Sequence, residues 1–98
     1  MEIRYIKVIV NHDLSHNLAS AVTVDHLAAV AIISESKVYE WQGGQLNNYV
    51  GRIVEIVSEK KDYEQLCNVF KKYRAHIISI VDSASNDYDY NHWFKNGV

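Results

Sequence analysis

The chain has 98 residues and a mass of 11.3 kDa, a length that accommodates one compact domain and excludes a second. Its 48% apolar and 22% charged residues are typical of a globular protein, which excludes disordered, collagen-like and membrane-spanning chains. The net charge of −2 gives no long-range attraction to nucleic acid or to anionic lipid. We therefore predict a single domain over residues 1–98, with neither a membrane nor a nucleic acid as its partner.

Cysteine usage indicates the compartment. Cys67 is the one cysteine of the chain, so an internal disulfide and a cysteine-based zinc site are both excluded. The first residues, from Met1 to Tyr5, carry an acidic residue where a signal peptide has a basic region. Together these observations predict a cytoplasmic protein.

The predicted elements begin with a buried strand and a long helix. Residues 3–10 are β-branched and apolar nearly throughout, which is typical of a central strand covered on both faces. Residues 11–17 are of the types that form turns and start helices, with Ser15 and Asn17 as candidate caps. The Ala-rich stretch from residue 18 to about residue 33 is apolar on nearly all sides. It predicts a helix packed against a sheet.

The middle of the chain predicts two strands separated by a turn. Residues 37–41 predict a short edge strand, which the glycines of Gly43-Gly44 bring to an end because they adopt positive φ easily. Residues 46–51 predict a short helical turn. Residues 53–57 predict a second core strand.

The last part of the chain predicts a helix, a strand and a tail. Asp62 precedes Gln65 by three residues, as in a capping box, and apolar residues then recur at helical spacing up to Tyr73. Residues 75–81 predict a third buried strand. A polar turn follows, and residues 88–98 form an aromatic tail that packs on its own core, on a twin subunit or against a ligand.

The alternation of strands and helices predicts the fold class. Strands that alternate with helices at these lengths favour right-handed β-α-β crossovers. We therefore predict an α/β fold, a three-layer sandwich in which a mostly parallel or mixed sheet of about four strands carries helices on both faces.

Ligands of open α/β sheets bind outside the carboxyl ends of the strands, where loops meet helix N-termini. That rule selects residues 11–17, 58–62 and 82–87. Their short polar side chains are suited to a small polar or nucleotide-like ligand, although the same residue types also occur as ordinary caps and turns. The predicted ligand-binding residues are His12, Asp13, Asn17, Asp82, Ser85, Asn86 and Trp93. Trp93 would supply an aromatic ring on which a planar ligand stacks.

Other kinds of site have weaker support in the sequence. His12 and His16 would share a helix face and could bind a metal with His26 or Asp82, but the H-E-x-x-H pattern is absent. A Ser15-His16-Asp82 arrangement lacks the G-x-S-x-G elbow that exposes a nucleophilic serine. The four glycines form no phosphate-binding loop. We therefore predict no metal site and no cofactor.

The order of these motifs resembles a known fold. A strand at residues 7–10 is followed by Asp13-Leu14 and Asn17 before the Ala-rich helix, and Asp82-Ser83-Ala84 and Asn86-Asp87 follow the last core strand. This order, over residues 3 to 87, resembles the type II peptidyl-tRNA hydrolase fold. The likeness is greatest to uncharacterised bacterial relatives of that superfamily.

The resemblance implies a fold of that type and an esterase that cleaves the bond between a peptide and tRNA. Asp82 matches the family's aspartate, and His16 would be its acid-base partner. The family's lysine at the start of the first helix is missing, because no Lys or Arg occurs between Lys7 and Lys37. Since the tRNA acceptor stem carries dense phosphate charge, this absence argues against that substrate.

Three hypotheses follow. The first is a non-catalytic α/β module that binds a small polar or nucleotide-like ligand at the carboxyl ends of its strands. The second is a divergent peptidyl-tRNA hydrolase-like esterase, and the third is an interaction module that forms homodimers through its aromatic tail. The chain is about one strand short of the resembled fold, so an exposed sheet edge would be covered by the tail or by a second copy.

Overall fold

The computed structural model describes residues 2–83, which form a four-stranded antiparallel sheet and two α-helices. A single turn of 3-10 helix precedes each α-helix. The strand order across the sheet is β2-β3-β1-β4, which is the double β-α-β arrangement of a ferredoxin-like fold. In chain order the elements are β1 (Ile3–Asn11), α1 (Ser15–Val24), β2 (Val30–Gln42), β3 (Gln45–Glu59), α2 (Tyr63–Lys72) and β4 (His76–Ser83).

This architecture corrects the predicted fold class. β1 pairs antiparallel with both β3 and β4, and β2 pairs antiparallel with β3, so the expectation of a mostly parallel or mixed sheet is wrong. Leu18 and Val22 of α1 join Leu66 and Phe70 of α2 in one core cluster. Both described helices therefore cover the same face of the sheet, and residues 2–83 form two layers instead of the three predicted.

The core lies between this sheet face and the two helices. Five strand side chains of the core are at most 1% exposed: Ile6, Val8, Val10, Val54 and Ile56. The opposite sheet face is more open, and there Lys7 of β1 lies beside Glu55 of β3 with both side chains about half exposed. The sequence predicted that β1 is covered on both faces. In residues 2–83 the two faces of β1 are not covered equally.

The first helix is shorter than predicted. α1 ends at Val24, and the second half of the predicted helix is strand β2 instead. His26 adopts a positive φ of 58°, and its N–H donates to the Thr23 carbonyl at 3.1 Å. The N–H of Leu27 donates to the Val22 carbonyl at 2.9 Å. These two bonds form a Schellman motif, which ends the helix without the usual glycine.

The second helix is confirmed, with Leu66 and Phe70 on its buried side. Its predicted capping box is wrong, because the Asp62 side chain makes no capping hydrogen bond. A second Schellman motif ends α2 at Arg74, whose φ is 57°. Both helices thus end on a residue with a side chain where glycine is the common choice.

A two-residue turn joins β2 to β3. Gly43 and Gly44 adopt φ values of 56° and 81°, which match the hairpin turns that glycine favours. The predicted helical turn at residues 46–51 is wrong, because these residues belong to β3. β1 pairs with β3 only over residues 51–59. Residues 37–50 therefore extend past the end of β1 as a two-stranded ribbon, which we call the arm.

The last strand lies at an edge of the sheet and is not the buried strand that was predicted. Four of its side chains are well exposed: Ile77 at 37%, Ile78 at 48%, Ile80 at 41% and Val81 at 56%. The predicted aromatic tail, residues 88–98 with Trp93, lies outside the described residues, as do the predicted ligand-binding residues Ser85 and Asn86. In the part of the chain that the structure describes, no helix has the length and apolar character needed to cross a membrane.

Candidate functional site

Four of the predicted ligand-binding residues lie within residues 2–83, and the antiparallel sheet separates Asp82 from His12, Asp13 and Asn17. Asp82 on β4 lies opposite Arg4, near the start of β1, whereas His12 follows the end of β1. Positions 4 and 12 are separated by about 26 Å along an extended strand. The carboxyl ends of neighbouring strands meet at one edge only in a parallel sheet. The candidate acid-base pair, Asp82 and His16, is therefore not brought together.

Asp82 is held by a cation. Arg4 donates from Nε to Oδ1 at 2.6 Å and from Nη2 to Oδ2 at 2.9 Å, and its guanidinium lies 4.6 Å from the centre of the Tyr63 ring. The hydrogen bonds from Arg4, together with its charge and that of Lys60, hold the pKa of Asp82 below its ordinary value. Near neutral pH this carboxylate is therefore ionised and has no proton to donate.

A cavity of about 470 Å³ lies at this end of the sheet, lined in the described part of the chain by Glu2, Glu59, Lys60 and Lys61. Each lysine is paired, with Lys60 Nζ at 3.2 Å from Glu2 and Lys61 Nζ at 3.2 Å from Glu59. These lining charges offset one another, so the described lining does not select an anion.

At the other end of the sheet, Arg52 of β3 joins His12 to a polar cluster. Arg52 Nη1 donates to the buried Ser15 hydroxyl at 3.1 Å, and Nη2 lies 2.7 Å from His12 Nε2. A guanidinium only donates, so His12 Nε2 accepts this bond. A Glu35 oxygen lies 3.5 Å from both Arg52 Nη2 and His12 Nε2. We call His12, Ser15, Glu35 and Arg52 the Arg52 cluster.

The other predicted residues of this end have different roles. Asn11, which was not selected, caps the first turn by accepting the Asp13 N–H at 2.9 Å. The Asp13 side chain is 91% exposed and lies 3.6 Å from the far side of the His12 ring. Asn17 is exposed on α1, and the predicted caps Ser15 and Asn17 do not cap the helix, because α1 starts without a side-chain cap.

A second cavity at this end was missed by the sequence analysis. It has a volume of about 340 Å³ and lies between the arm, the end of β1 and the start of β4. We call it the arm cleft, and it is lined by Ile9, Val10, Asn11, Leu14, Glu40, Gln42, Asn47, Tyr49, Arg74 and His76. The glycine pair between two alternating segments was the available signal, because it is typical of a hairpin.

Strand register sets which arm residues line this cleft. Glu40 lies directly opposite Asn47, and directly opposed residues of an antiparallel pair project from the same face. Gln42 Nε2 donates to Glu40 at 2.5 Å, and Asn47 Nδ2 donates to the Gln42 oxygen at 3.3 Å. Burial raises the pKa of Tyr49, and the charge of Glu40 and a hydrogen bond to it raise it further. One wall of the cleft is therefore an ordered acidic network.

The opposite wall is cationic. Arg74 comes from the end of α2, and His76 begins β4 opposite Ile9 of β1. Within residues 2–83 the Arg74 side chain forms neither a hydrogen bond nor an ion pair. The cleft lining thus combines the carboxylate of Glu40 with the guanidinium of Arg74, which has no ionic partner within residues 2–83.

The strand order, the two helices on one face and the projecting arm define a two-layer, ferredoxin-like α/β protein. No protein-family model and no curated protein matches the chain. Solved structures do match it, and CutA1 from Oryza sativa has a TM-score of 0.83 at 19% identity, over 98% of this chain and 93% of that chain.

Two further structures are named for a role in the cell. The periplasmic divalent cation tolerance protein CutA from Archaeoglobus fulgidus has a TM-score of 0.82 at 13% identity, over 95% of each chain. The divalent cation tolerance protein CutA1 from Thermus thermophilus has a TM-score of 0.77 at 15% identity, over 95% of this chain and 94% of that chain. The fold is therefore CutA1-like, and the resemblance to type II peptidyl-tRNA hydrolases is wrong.

Proposed function

We propose that this protein serves the tolerance of divalent cations as a small non-catalytic protein. The observation that carries the proposal is the CutA1-like fold, which extends over nearly the whole chain. The separation of Asp82 from His16 supports a non-catalytic role, because an acid-base pair must reach the same substrate atoms.

The described residues do not fit a preformed cation cage. Within residues 2–83 no group of three or more His, Cys, Asp or Glu side chains is arranged to hold a metal ion. His12 does lie within 3.6 Å of Asp13 and 3.5 Å of Glu35. The guanidinium of Arg52 lies 2.7 Å from the same imidazole, and its permanent charge would repel a divalent cation. We therefore propose that the protein acts through a small polar ligand at this end of the sheet.

Growth in excess copper or zinc tests the proposal. We expect expression of this chain to restore growth of a bacterial strain that lacks its own CutA1. The double variant D82N/H16A should restore growth as well as the wild type, because neither residue has a catalytic role. The exposed variant E64Q is the matched control. Failure of the wild-type chain, despite folded protein in the cells, would contradict the cation role, and selective failure of D82N/H16A at an equal level of folded protein would favour an enzyme.

A metal titration tests the absence of a cage. We expect the calorimetric response of the H12A/E35Q variant to Cu²⁺ and Zn²⁺ to equal that of the wild type. The matched control, H16A/E64Q, removes an exposed imidazole and an exposed carboxylate from the two helices. Tight binding by the wild type that only H12A/E35Q abolishes would show a metal site in the Arg52 cluster.

We also propose that the chain self-associates through β4, with a homodimer as the smallest assembly that covers this strand. The support is the exposed row of Ile77, Ile78, Ile80 and Val81 on an edge of the sheet. Natural proteins cover or interrupt apolar edges of this kind, because an open edge pairs with other chains.

Sedimentation velocity tests the self-association. The wild type should sediment as an oligomer, and the I78K/V81K variant as a monomer. V24K is the matched control, because Val24 is 69% exposed at the end of α1, away from the edge. A monomeric wild type at 100 micromolar protein, about a thousandfold above a tight dissociation constant, would contradict the proposal.

The cellular location remains a proposal as well. We propose the cytoplasm, because Cys67 is a free thiol that fits a reducing compartment. The Archaeoglobus fulgidus protein is named periplasmic. Cell fractionation with an antibody against the chain decides between the two locations.

A further inference from the structure

We propose that the arm cleft binds a small zwitterionic molecule of amino-acid size, with its carboxylate on Arg74 and its ammonium group on Glu40. The inference rests on the proposed non-catalytic role and names the chemical class of the ligand. It also places the ligand on residues that the sequence analysis did not select.

The position of Arg74 is the first argument. Arg74 has a φ of 57° at the end of α2, a conformation that disfavours a residue with a side chain and that glycine adopts freely. Its N–H donates to the Lys71 carbonyl at 3.2 Å, which fixes the backbone of this lining residue. Within residues 2–83 the guanidinium has no carboxylate partner. The positive φ belongs to the Schellman motif, but an arginine that lines a cavity and has no ionic partner within residues 2–83 is suited to bind an anionic group.

The fixed carboxylate across the cleft is the second argument. Gln42 donates to Glu40, and Asn47 donates in turn to Gln42. Both amides are neutral, so this network orients the carboxylate without cancelling its charge. Within the described residues no lysine or arginine forms an ion pair with Glu40. Glu40 can therefore accept an ammonium group from a ligand.

The size and lining of the cleft limit the ligand class. A volume of about 340 Å³ lies at the small end of the range for ligand pockets, about 300–1,000 Å³. The lining also includes the apolar residues Ile9, Val10 and Leu14. Asn11 uses its oxygen to cap Asp13, which leaves its NH₂ group to donate to a ligand. A polyphosphate would leave most of its charge unpaired here, whereas one carboxylate and one ammonium group match the two walls.

L-Glutamine is a suitable probe, because its side-chain amide can also pair with the amides of Asn11 and Asn47. We expect it to shift the ¹H-¹⁵N resonances of the cleft in the full-length protein, with the side-chain amides of these asparagines among them. Glutaramate lacks the ammonium group and 4-aminobutanamide lacks the carboxylate. Each should bind at least tenfold more weakly, because each leaves one charged wall unpaired.

Charge-removing variants locate the two contacts. R74Q and E40Q should each weaken L-glutamine binding at least tenfold, and the exposed controls K72Q and E64Q should bind as the wild type does. The R74G variant separates binding from folding, because glycine suits the positive φ and the variant should remain folded while it loses the ligand. Unchanged affinity in R74Q or E40Q would overturn the proposal, as would the absence of cleft shifts with 10 mM L-glutamine.

The growth assay distinguishes this inference from the proposed function. A wild-type chain that restores growth in excess copper but shows no cleft shifts would overturn the zwitterion site and leave the cation role standing. A chain that binds L-glutamine but does not restore growth would overturn the cation role and leave the site standing. If both hold, R74Q should restore growth less well than K72Q.

Discussion

Arg4 and Asp82 meet through two hydrogen bonds, of 2.6 and 2.9 Å, across the pairing of β1 with β4. The Arg4 side chain is only 13% exposed, because the Tyr63 ring lies on its guanidinium. The pair links a central strand of the sheet to an edge strand whose apolar side chains are largely exposed. Its contribution to stability therefore bears on whether β4 stays attached.

The D82N variant should lose stability in a pH-dependent way. The pKa of Asp82 is lowered in the folded state by Arg4, so the folded protein binds fewer protons than the unfolded chain in acid. The stabilisation is complete above the unfolded pKa of about 3.9 and is lost as pH falls through the lowered pKa. Thermal unfolding between pH 2 and 7 should show a lower Tm for D82N at neutral pH and convergence with the wild type in acid.

E55Q is the control for D82N, because Glu55 faces Lys7 across β1 and β3 at 3.9 Å with both side chains about half exposed. Exposed pairs of this kind contribute little. An equal loss of Tm in D82N at every pH would contradict an electrostatic origin.

The D62N variant should behave in the opposite sense. Burial raises the pKa of Asp62, and Glu59 adds to this, although Lys61 opposes it. The folded protein therefore holds this proton to higher pH than the unfolded chain does, and its stability falls as pH rises from about 3.9 through the raised pKa. D62N should raise the Tm at pH 7 and have no effect at pH 3, as measured by circular dichroism. D13N, at a 91% exposed carboxylate, should have little effect at pH 7.

Local sequence signals predicted some elements and not their arrangement. The helix around Leu66 and Phe70 was predictable, because its apolar residues recur at helical spacing before a charged opposite face. The end of α1 was not, because the chain turns at His26 with no glycine or proline to mark it. Only two polar residues, Asp25 and His26, separate the apolar residues of α1 from those that lead into β2, so periodicity alone extended the helix.

The antiparallel topology was also missed, although one signal for it was present. Gly43-Gly44 by itself indicates only a turn, and the residues from Leu46 to Gly51, taken alone, favoured a helical turn. If the glycine pair and the residues after it had been interpreted together as a turn and a strand, they would have predicted a long hairpin and an antiparallel sheet. The arm cleft could not be predicted from local sequence. Its lining residues Glu40 and Arg74 lie 34 positions apart, and only the tertiary fold places both of them in one cavity.

Replacing the residue that ends α1 tests the Schellman motif. The positive φ of His26 disfavours any side chain, so H26G should raise the free energy of unfolding by about 0.5–1 kcal/mol despite the greater freedom of glycine in the unfolded chain. D25G is the matched control, since Asp25 has a φ of −83° and glycine there should destabilise by a similar amount. Urea unfolding measures both variants. Destabilisation of H26G would show that the imidazole makes a compensating contact.

Two leucines that differ in burial test how much core packing contributes to stability. Leu66 is fully buried between α2 and the sheet, so L66A should lower the free energy of unfolding by about 2–5 kcal/mol through lost burial and a residual cavity. Leu46 is 55% exposed on the arm, and L46A should change it by less than about 0.5 kcal/mol. Urea unfolding at low protein concentration makes the comparison. A large effect of L46A under these conditions would mean that the arm is covered.

The alternation of side chains along the two strands of the arm restricts how the depth of the arm cleft can change. Glu40 and Asn47 face the cavity because they are paired, and their neighbours Trp41 and Leu46 form the next pair on the outer face. One residue added to each strand would turn the tryptophan inward and the glutamate outward. Only an insertion of two residues per strand, about 6.6 Å of added reach, keeps the acidic wall in place. The depth of the cleft therefore changes in discrete steps, set by the alternation of the backbone.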